Sequence, residues 1–251
     1  MDNSILIALG LSVAAGLSTT VGGFVTFLVR NPTHRFLSIT LGFSAGVMVA
    51  VSFVELYASA ILATSLLGAS LAFFVGFALM FIIDVLVPHS HPAEGETQQK
   101  GVLLKVGGFT ALGLALHNFP EGFAVFAGTL QSAEVGILLA IAIAIHNIPE
   151  GIAVAVPIYY ATGSKKKALM YSFISGIVEP VGALLAALVL LPLLNPAVVS
   201  YSLAGVAGVM VFISLDELLP AAHHYGQEHA TTVGVMSGMI VMIATLVLLN
   251  I

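Results

Sequence analysis

The sequence predicts an all-α membrane protein, a bundle of eight transmembrane helices, and three observations lead to this prediction. The 251 residues are 59% hydrophobic and only 8% charged, with a mean hydropathy of +1.11, whereas a soluble protein carries about 25% charged residues. The apolar residues fall into eight runs, each close to the length of about 20 residues that a helix needs to cross a bilayer. All seven basic residues lie in alternate breaks between these runs or at their edges.

The runs are separated by short polar breaks, which leave no room for a separate soluble domain. A turn is expected near residues 57–65, because residues 37–87 contain no Lys or Arg and one helix of that length would overshoot any bilayer. The chain has no cysteine, which excludes disulfides, thiolate metal sites and cysteine nucleophiles. We therefore expect one domain over residues 1–251, with spans at residues 4–29, 37–58, 66–87, 102–128, 133–160, 168–191, 198–220 and 231–249.

The basic residues predict the orientation of the chain. Arg30 and Arg35 follow the first span, Lys100 and Lys105 follow the third, and residues 165–167, all lysine, follow the fifth. Cytoplasmic loops carry an excess of Lys and Arg. The odd-numbered loops are therefore expected in the cytoplasm and both termini outside, in a protein that crosses the cytoplasmic membrane several times.

Three carboxylates lie near the middle of predicted spans. Glu121, Glu150 and Glu179 each fall near the middle of a span and are spaced 29 residues apart. Because that interval equals one helix and its loop, neighbouring helices bring them to similar depth. A charge at the centre of a membrane helix costs about 2.5–3.5 kcal/mol on insertion scales and usually marks a functional site.

A repeated motif surrounds two of these carboxylates, HNFPEG at residues 117–122 and HNIPEG at residues 146–151. The histidine and the glutamate of each copy are four residues apart, so they lie on one face of a helix. The proline removes a backbone donor and clashes with the carbonyl four residues earlier, and SGIVEP at residues 175–180 repeats the pairing of carboxylate and proline. We expect broken helices at mid-membrane, a device typical of transporters.

The polar groups of the three segments form a set of nitrogen and oxygen donors. Such a set suits zinc and other first-row divalent ions better than calcium or magnesium, which prefer oxygen alone. A lone buried histidine or asparagine often serves only to join helices, but a constellation repeated at matched depth favours a metal site. The predicted ligands are His117, Asn118, Glu121, His146, Asn147, Glu150 and Glu179.

Seven further residues are weaker candidates for metal contacts. The loop at residues 88–100, which begins PHSHPAEGE, could collect metal in the cytoplasm or be merely solvated. Charges at the ends of spans three and seven could line the cytoplasmic mouth or simply reach the water there. In span two, a carboxylate could line the outer entrance and a thioether could be a soft ligand or a core residue. These candidates are Met48, Glu55, Asp84, His89, His91, Asp216 and Glu217.

Taken together, these segments resemble the Zrt- and Irt-like protein (ZIP) family, in particular its bacterial zinc transporters. The resemblance covers all eight spans and includes LGFSAGVMVA at residues 41–50 and LDELLP at residues 215–220. It implies an eight-helix bundle with both termini outside. It also implies that spans 1, 4, 5 and 6 form a transport unit that slides as an elevator against a scaffold of spans 2, 3, 7 and 8.

The resemblance further implies a central site for two metals. One ion would be held by His117, Glu121, His146 and Glu150, with Met48 nearby. The second would be held by Asn118, Glu121, Asn147, Glu150 and Glu179, and a cytoplasmic release route would include Asp84, His89, Asp216 and Glu217. Some relatives have aspartate where this chain has Asn147 and a weaker donor where it has His146. The first position should therefore favour zinc, iron or cobalt over manganese, and the second is less well neutralised.

The predicted function is import of divalent metal into the cytoplasm, with zinc as the main substrate and iron, manganese, cobalt and cadmium as further candidates. The metal is cargo, and no cofactor and no enzymatic activity are expected. The expected partners are metal ions and the lipid bilayer, without nucleic acid, and a homodimer is a candidate assembly. The alternative is an intramembrane zinc hydrolase, but the chain has no HExxH pair. A metal sensor would need an output domain for which no room remains.

Overall fold

The computed structural model describes residues 3–28, 33–86, 100–190, 192, 195–224 and 228–248. Within these ranges the chain is helical and contains no strand. Its eight long helices are α1 (Asn3–Val25), α2 (His34–Ala63), α3 (Leu66–Leu86), α4 (Lys100–Gln131), α5 (Ala133–Thr162), α6 (Lys165–Leu190), α7 (196–224) and α8 (Glu228–Leu248).

Seven of the helices in the described part of the chain are long and apolar enough to cross a membrane. They are α1, α2, α3, α5, α6, α7 and α8. The remaining helix, α4, is 32 residues long and packs against α5, α6 and α7. The all-helical membrane fold is thus confirmed.

The ends of the helices lie close to the predicted boundaries and have local causes. The expected turn between the second and third spans falls at Thr64 and Ser65, between the end of α2 and the start of α3. At the start of α5, Ser132 accepts a hydrogen bond from the backbone N–H of Val135, which satisfies a donor that the first turn leaves unpaired. At its end, Gly163 has φ +65°, a conformation that glycine adopts at little cost.

The broken helices expected at the prolines are not confirmed. α4 continues through Pro120, α5 through Pro149 and Pro157, and α6 through Pro180. A proline removes one hydrogen bond of the helix ladder. The close packing of the neighbouring helices holds the remaining turns in place.

The departures from α-helical geometry lie instead in α2 and α7, each of which contains a π-helical segment. These segments are Ser52–Tyr57 and Ser214–Leu218. Both lie at the carboxyl ends of two similar sequences, SAGVMVAVSFVEL at residues 44–56 and VAGVMVFISLDEL at residues 206–218, which are separated by 162 residues. The sequence analysis did not identify this repetition. π-Helical turns occur frequently at functional sites.

The helices pack as two groups. Helices α1, α4, α5 and α6, the first group, all contact one another. In the second group, formed by α2, α3, α7 and α8, the main contacts are those of α2 with α7 and α8 and of α3 with α7. The two groups meet mainly where α2 lies against α5 and α4 lies against α7. Each helix with an HNxPEG motif therefore packs against a helix with a copy of the AGVMV sequence.

Glycines set the closest helix contacts inside each group. In the first group a Cβ added at Gly22 would overlap the carbonyl oxygen of Ile148 on α5. In the second group a Cβ at Gly46 would overlap that of Val235 on α8. Among the described glycines, none makes such a contact between the groups. Small residues let membrane helices approach closely, so each group is more tightly joined internally than to the other.

Gly208 and Gly205, both on α7 at its contact with α3, give a matched test of this packing. A Cβ at Gly208 would overlap the carbonyl oxygen of Phe73, whereas a Cβ at Gly205 would lie 3.6 Å from that of Ala72. Gly208→Ala is expected to destabilise the protein by about 1–3 kcal/mol, since overpacking forces the helices apart. Gly205→Ala should change stability by less than about 1 kcal/mol. Thermal unfolding in detergent measures both, and equal effects would contradict the packing described.

Candidate metal centre

The predicted ligands lie at the contacts between α4, α5 and α6. Helices α4 and α5 form a hairpin that brings the two HNxPEG motifs together, and α6 adds the third carboxylate. Their described side chains are completely buried, which in so apolar a bundle is costly unless the groups are paired or bind a ligand. They are Asn118, Glu121, His146, Asn147, Glu150 and Glu179.

A hydrogen bond between His146 and Glu121 joins the two motifs. The distance from Nε2 of His146 to Oε1 of Glu121 is 2.6 Å. The other ring nitrogen, Nδ1, lies 3.0 Å from the carbonyl oxygen of Ala142, and because a carbonyl only accepts, Nδ1 is the donor. A backbone carbonyl in this position is the usual support of a metal-binding histidine, since it orients the ring with Nε2 toward the site.

Both asparagines use their amide nitrogen and leave their oxygen available. Nδ2 of Asn118 donates to the carbonyl oxygen of Ser175 at 2.9 Å. Nδ2 of Asn147 donates to the carbonyl oxygen of Ala15 at 3.1 Å and to Oε2 of Glu179 at 2.9 Å. Among the described residues, Oδ1 of each asparagine and Oε1 of Glu179 have no hydrogen-bond partner. Buried acceptors are normally satisfied, and a cation would satisfy these three oxygens.

Ser44 is a contact of the site that the sequence analysis missed. Its hydroxyl, on α2, has two acceptors within reach: Oε1 of Glu150 at 2.9 Å and the carbonyl oxygen of His146 at 3.3 Å. We take the nearer one, Glu150, as the acceptor of its proton. Ser44 precedes Met48 by one helical turn, so the two share a face of α2. That spacing, together with the candidate role of Met48, is the signal by which the sequence could have revealed it.

The carboxylates are near one another but engage different neighbours. Glu121 and Glu150 both lie close enough to Glu179 for electrostatic repulsion between the carboxylates. Yet among the described side chains, no three of His, Cys, Asp or Glu are gathered closely enough to hold a metal ion. Glu121 is bonded to His146, Glu150 to Ser44 and Glu179 to Asn147. The side chain of His117 lies outside the described part of the structure.

The weaker candidates are distributed along the second group of helices. Met48 is completely buried. Glu55 is buried in the π-helical segment of α2 and accepts a hydrogen bond from the hydroxyl of Ser59 at 3.3 Å. Asp216 is exposed and Glu217 half-buried, both in the π-helical segment of α7.

The other weaker candidates lie near or beyond the end of α3. Asp84 is half-buried close to the end of that helix. His89 and His91 belong to residues 87–99, outside the described ranges, and so does nearly all of the predicted loop at residues 88–100.

The fold and the site define a class of protein, a multi-pass helical membrane protein whose buried nitrogen and oxygen donors suit a metal ion. Comparison with known proteins gives the family. Residues 87–245 match the family model described as ZIP Zinc transporter. The chain belongs to the ZIP family, as its motifs predict.

Close relatives match along their whole length. The chain is 47% identical over 262 residues to Zinc transporter ZupT of Streptococcus mutans, covering 99% of each chain. It is 48% identical over 268 residues to Zinc transporter ZupT of Oceanobacillus iheyensis, covering 99% of this chain and 100% of the relative. The protein of the same name from Clostridium perfringens is 42% identical over 278 residues. The family and these relatives are named for transport and not for an enzymatic reaction.

Replacing Asn147 tests whether its oxygen faces a cation. Asn147→Asp removes the N–H donor to Glu179 and places a second charge beside that carboxylate, so the metal-free protein is expected to lose about 3–5 kcal/mol. Zinc should restore more stability to this variant than to the wild type, because the added carboxylate is neutralised on binding. Melting temperatures with and without zinc measure the effect. The control is Asn147→Ala, which loses the same donor without adding charge; equal stabilisation of both variants by zinc would contradict the assignment.

Proposed function

We propose that this protein imports zinc into the cell through the site between α4, α5 and α6. The observation that carries the proposal is the buried pair of His146 and Glu121. A backbone carbonyl orients the imidazole, and its Nε2 atom faces a carboxylate from the other motif. Membership of the ZIP family and the zinc transporters among the relatives support the same substrate.

Zinc would bind between the two motifs. Zinc bonds imidazole nitrogen and carboxylate oxygen at about 2.0–2.2 Å in tetrahedral geometry, which places two of its ligand atoms about 3.3 Å apart. The 2.6 Å contact between His146 and Glu121 therefore has to open by several tenths of an ångström when an ion enters. His117 and Glu150, which the family resemblance assigns to the same ion, would complete the coordination.

A second ion would bind to oxygen atoms alone. Its candidate ligands are the available oxygens of Asn118, Asn147 and Glu179, with Glu121 and Glu150 shared between the two ions. Only one of these three available oxygens belongs to a carboxylate. The second position is therefore expected to hold a divalent ion more weakly than the first.

We propose eight spans, with α4 as the eighth helix that crosses the membrane and both termini outside. The first group of helices would move as a unit against the second, in an elevator motion. The glycine contacts support this division, since they join helices within the groups and not between them. The contacts of α2 with α5 and of α4 with α7 would be the sliding surfaces.

Several finer features remain predictions. Glu55 would line the outer entrance, and the cytoplasmic route would include Asp84, His89, Asp216 and Glu217. His91 belongs to the loop at residues 88–100, which could collect metal in the cytoplasm. Met48 would approach the first ion from α2. Iron, manganese, cobalt and cadmium are further candidate substrates, and a homodimer is the candidate assembly.

Zinc uptake into proteoliposomes tests the site directly. Glu121→Ala and Glu150→Ala are expected to lower the initial rate by more than about tenfold, since even residues that merely orient a metal ligand contribute about 10–100-fold. Glu134→Ala is the matched control, because Glu134 is exposed in the first turn of α5 and should leave the rate unchanged. Uptake at the wild-type rate in the first two variants would refute the proposed site.

The same purified protein separates transport from the alternative of an intramembrane zinc hydrolase. A hydrolase would cleave a transmembrane peptide in detergent when zinc is added, and its activity would not require a sealed vesicle. We expect no cleavage, and uptake only into sealed vesicles. Peptide cleavage that Glu121→Ala abolishes would favour the hydrolase.

The absence of cysteine makes the orientation easy to test. Ser65 is exposed in the turn between α2 and α3, and Lys166 is exposed at the start of α6. The variants Ser65→Cys and Lys166→Cys therefore each introduce a single accessible cysteine. With odd-numbered loops in the cytoplasm, a maleimide that cannot cross membranes should label Ser65→Cys in intact cells. It should label Lys166→Cys only after the cells are opened. The reverse pattern would contradict the orientation.

A further inference from the structure

Ser44 reaches across the contact between the two groups of helices. It lies on α2 in the second group, and it donates its hydrogen bond to Glu150 on α5 in the first group. The bonds between His146 and Glu121 and between Asn147 and Glu179, by contrast, each join two helices of the first group. A motion of one group against the other has to break the bond of Ser44.

The burial of this hydrogen bond makes it strong. Ser44 and Glu150 are both completely buried, and a hydrogen bond to a carboxylate away from water is about twice as strong as one between neutral groups. The acceptor is also an oxygen atom of a proposed zinc ligand. In the metal-free protein, a hydrogen bond from the second group of helices thus occupies an oxygen atom of Glu150 that could bind the zinc ion.

The repeated sequence shows that the matched residue of α7 cannot form this link. The residue of α7 that matches Ser44 is Val206, which has no polar side-chain atom. Helix α7 packs against α4, where Glu121 occupies the position that Glu150 has in the other motif, and Glu121 is bonded by His146 of its own group. At the contact of α2 with α5, Ser44 therefore donates a hydrogen bond to the glutamate of an HNxPEG motif. At the contact of α4 with α7, the matched residue, Val206, cannot donate one.

We propose that Ser44 is a positioning residue that holds the empty first group against the second. A zinc ion bound to Glu150 draws on the same carboxylate charge and weakens the bond from Ser44, so the loaded group moves more readily than the empty one. This inference rests on the proposed zinc transport. It makes the return of the empty group the slow step of a transport cycle.

Two rates of zinc movement in proteoliposomes distinguish the empty step from the loaded step. Exchange of radioactive zinc for internal zinc needs only the loaded group, whereas net uptake into zinc-free vesicles also needs the empty group to return. In the wild type, exchange should be faster than net uptake. In Ser44→Ala, the rate of net uptake should rise toward the exchange rate by up to about tenfold, because the loss of one such hydrogen bond changes a rate by about this factor. The exchange rate should stay unchanged.

Two further variants control this experiment. Ser44→Thr keeps the hydroxyl and should keep the wild-type ratio of exchange to net uptake. Ser38→Ala removes another completely buried serine of α2, whose hydroxyl donates to the carbonyl oxygen of Ala222 within the second group. It should lower stability without changing the ratio. If Ser44→Ala does not fold, Ser44→Cys replaces it, because a thiol is only a weak donor.

The outcomes separate this inference from the proposed function. A wild type whose net uptake equals its exchange, or a Ser44→Ala variant with the wild-type ratio, overturns the role of Ser44 while zinc transport stands. A Glu150→Ala variant that transports zinc like the wild type overturns the proposed site itself.

Spin labels attached to Ser65→Cys and Lys166→Cys in one molecule give a second measurement, the distance between the two groups of helices. Without metal, the wild type should show one distance between the labels, and Ser44→Ala should show a second one as well. A single unchanged distance would contradict the proposal.

Discussion

The structure depends on one constraint, the need to satisfy polar side chains buried inside an apolar helical bundle. The bilayer offers them no water, so every donor and acceptor must find a partner in the protein or in its cargo. His146 meets this need with a carbonyl and a carboxylate. The two asparagines meet it only through their nitrogen atoms, within the described part of the chain. The asparagine oxygen atoms that remain are the candidates for contact with a cation.

Close backbone packing brings these polar groups together. The last residue of each HNxPEG motif is the glycine that allows the approach. A Cβ at Gly122 would overlap the carbonyl oxygen of Glu179 on α6, and one at Gly151 would overlap that of Thr19 on α1. The residue after each motif glutamate therefore sets how near the neighbouring helix lies. The same small residues that stabilise the first group also define the dimensions of the site.

The link between the site and the second group is of a different kind. No glycine among those described joins the two groups closely, and Ser44 connects them through a hydrogen bond to Glu150, one of the proposed metal ligands. A hydrogen bond can be exchanged for a bond to an ion, whereas interlocked backbones cannot separate without unpacking the helices. The repeated sequence in α2 and α7, with a serine in one copy and a valine in the other, makes the two contacts between the groups unequal in this respect.

The sequence by itself determined the helices, their approximate ends, the family and the buried donor residues, because hydropathy and motif spacing are properties of adjacent residues. The turn at Thr64 follows from such a local pattern, and so does the prediction that Glu121, Glu150 and Glu179 lie at similar depth. Only the tertiary structure decided that α4, α5 and α6 continue through their prolines, that α2 and α7 contain π-helical segments, and that Ser44 contacts Glu150. The physical reason is that these features depend on partners more than 100 residues away, as Ser44 and Glu150 are, or on the packing of neighbouring helices.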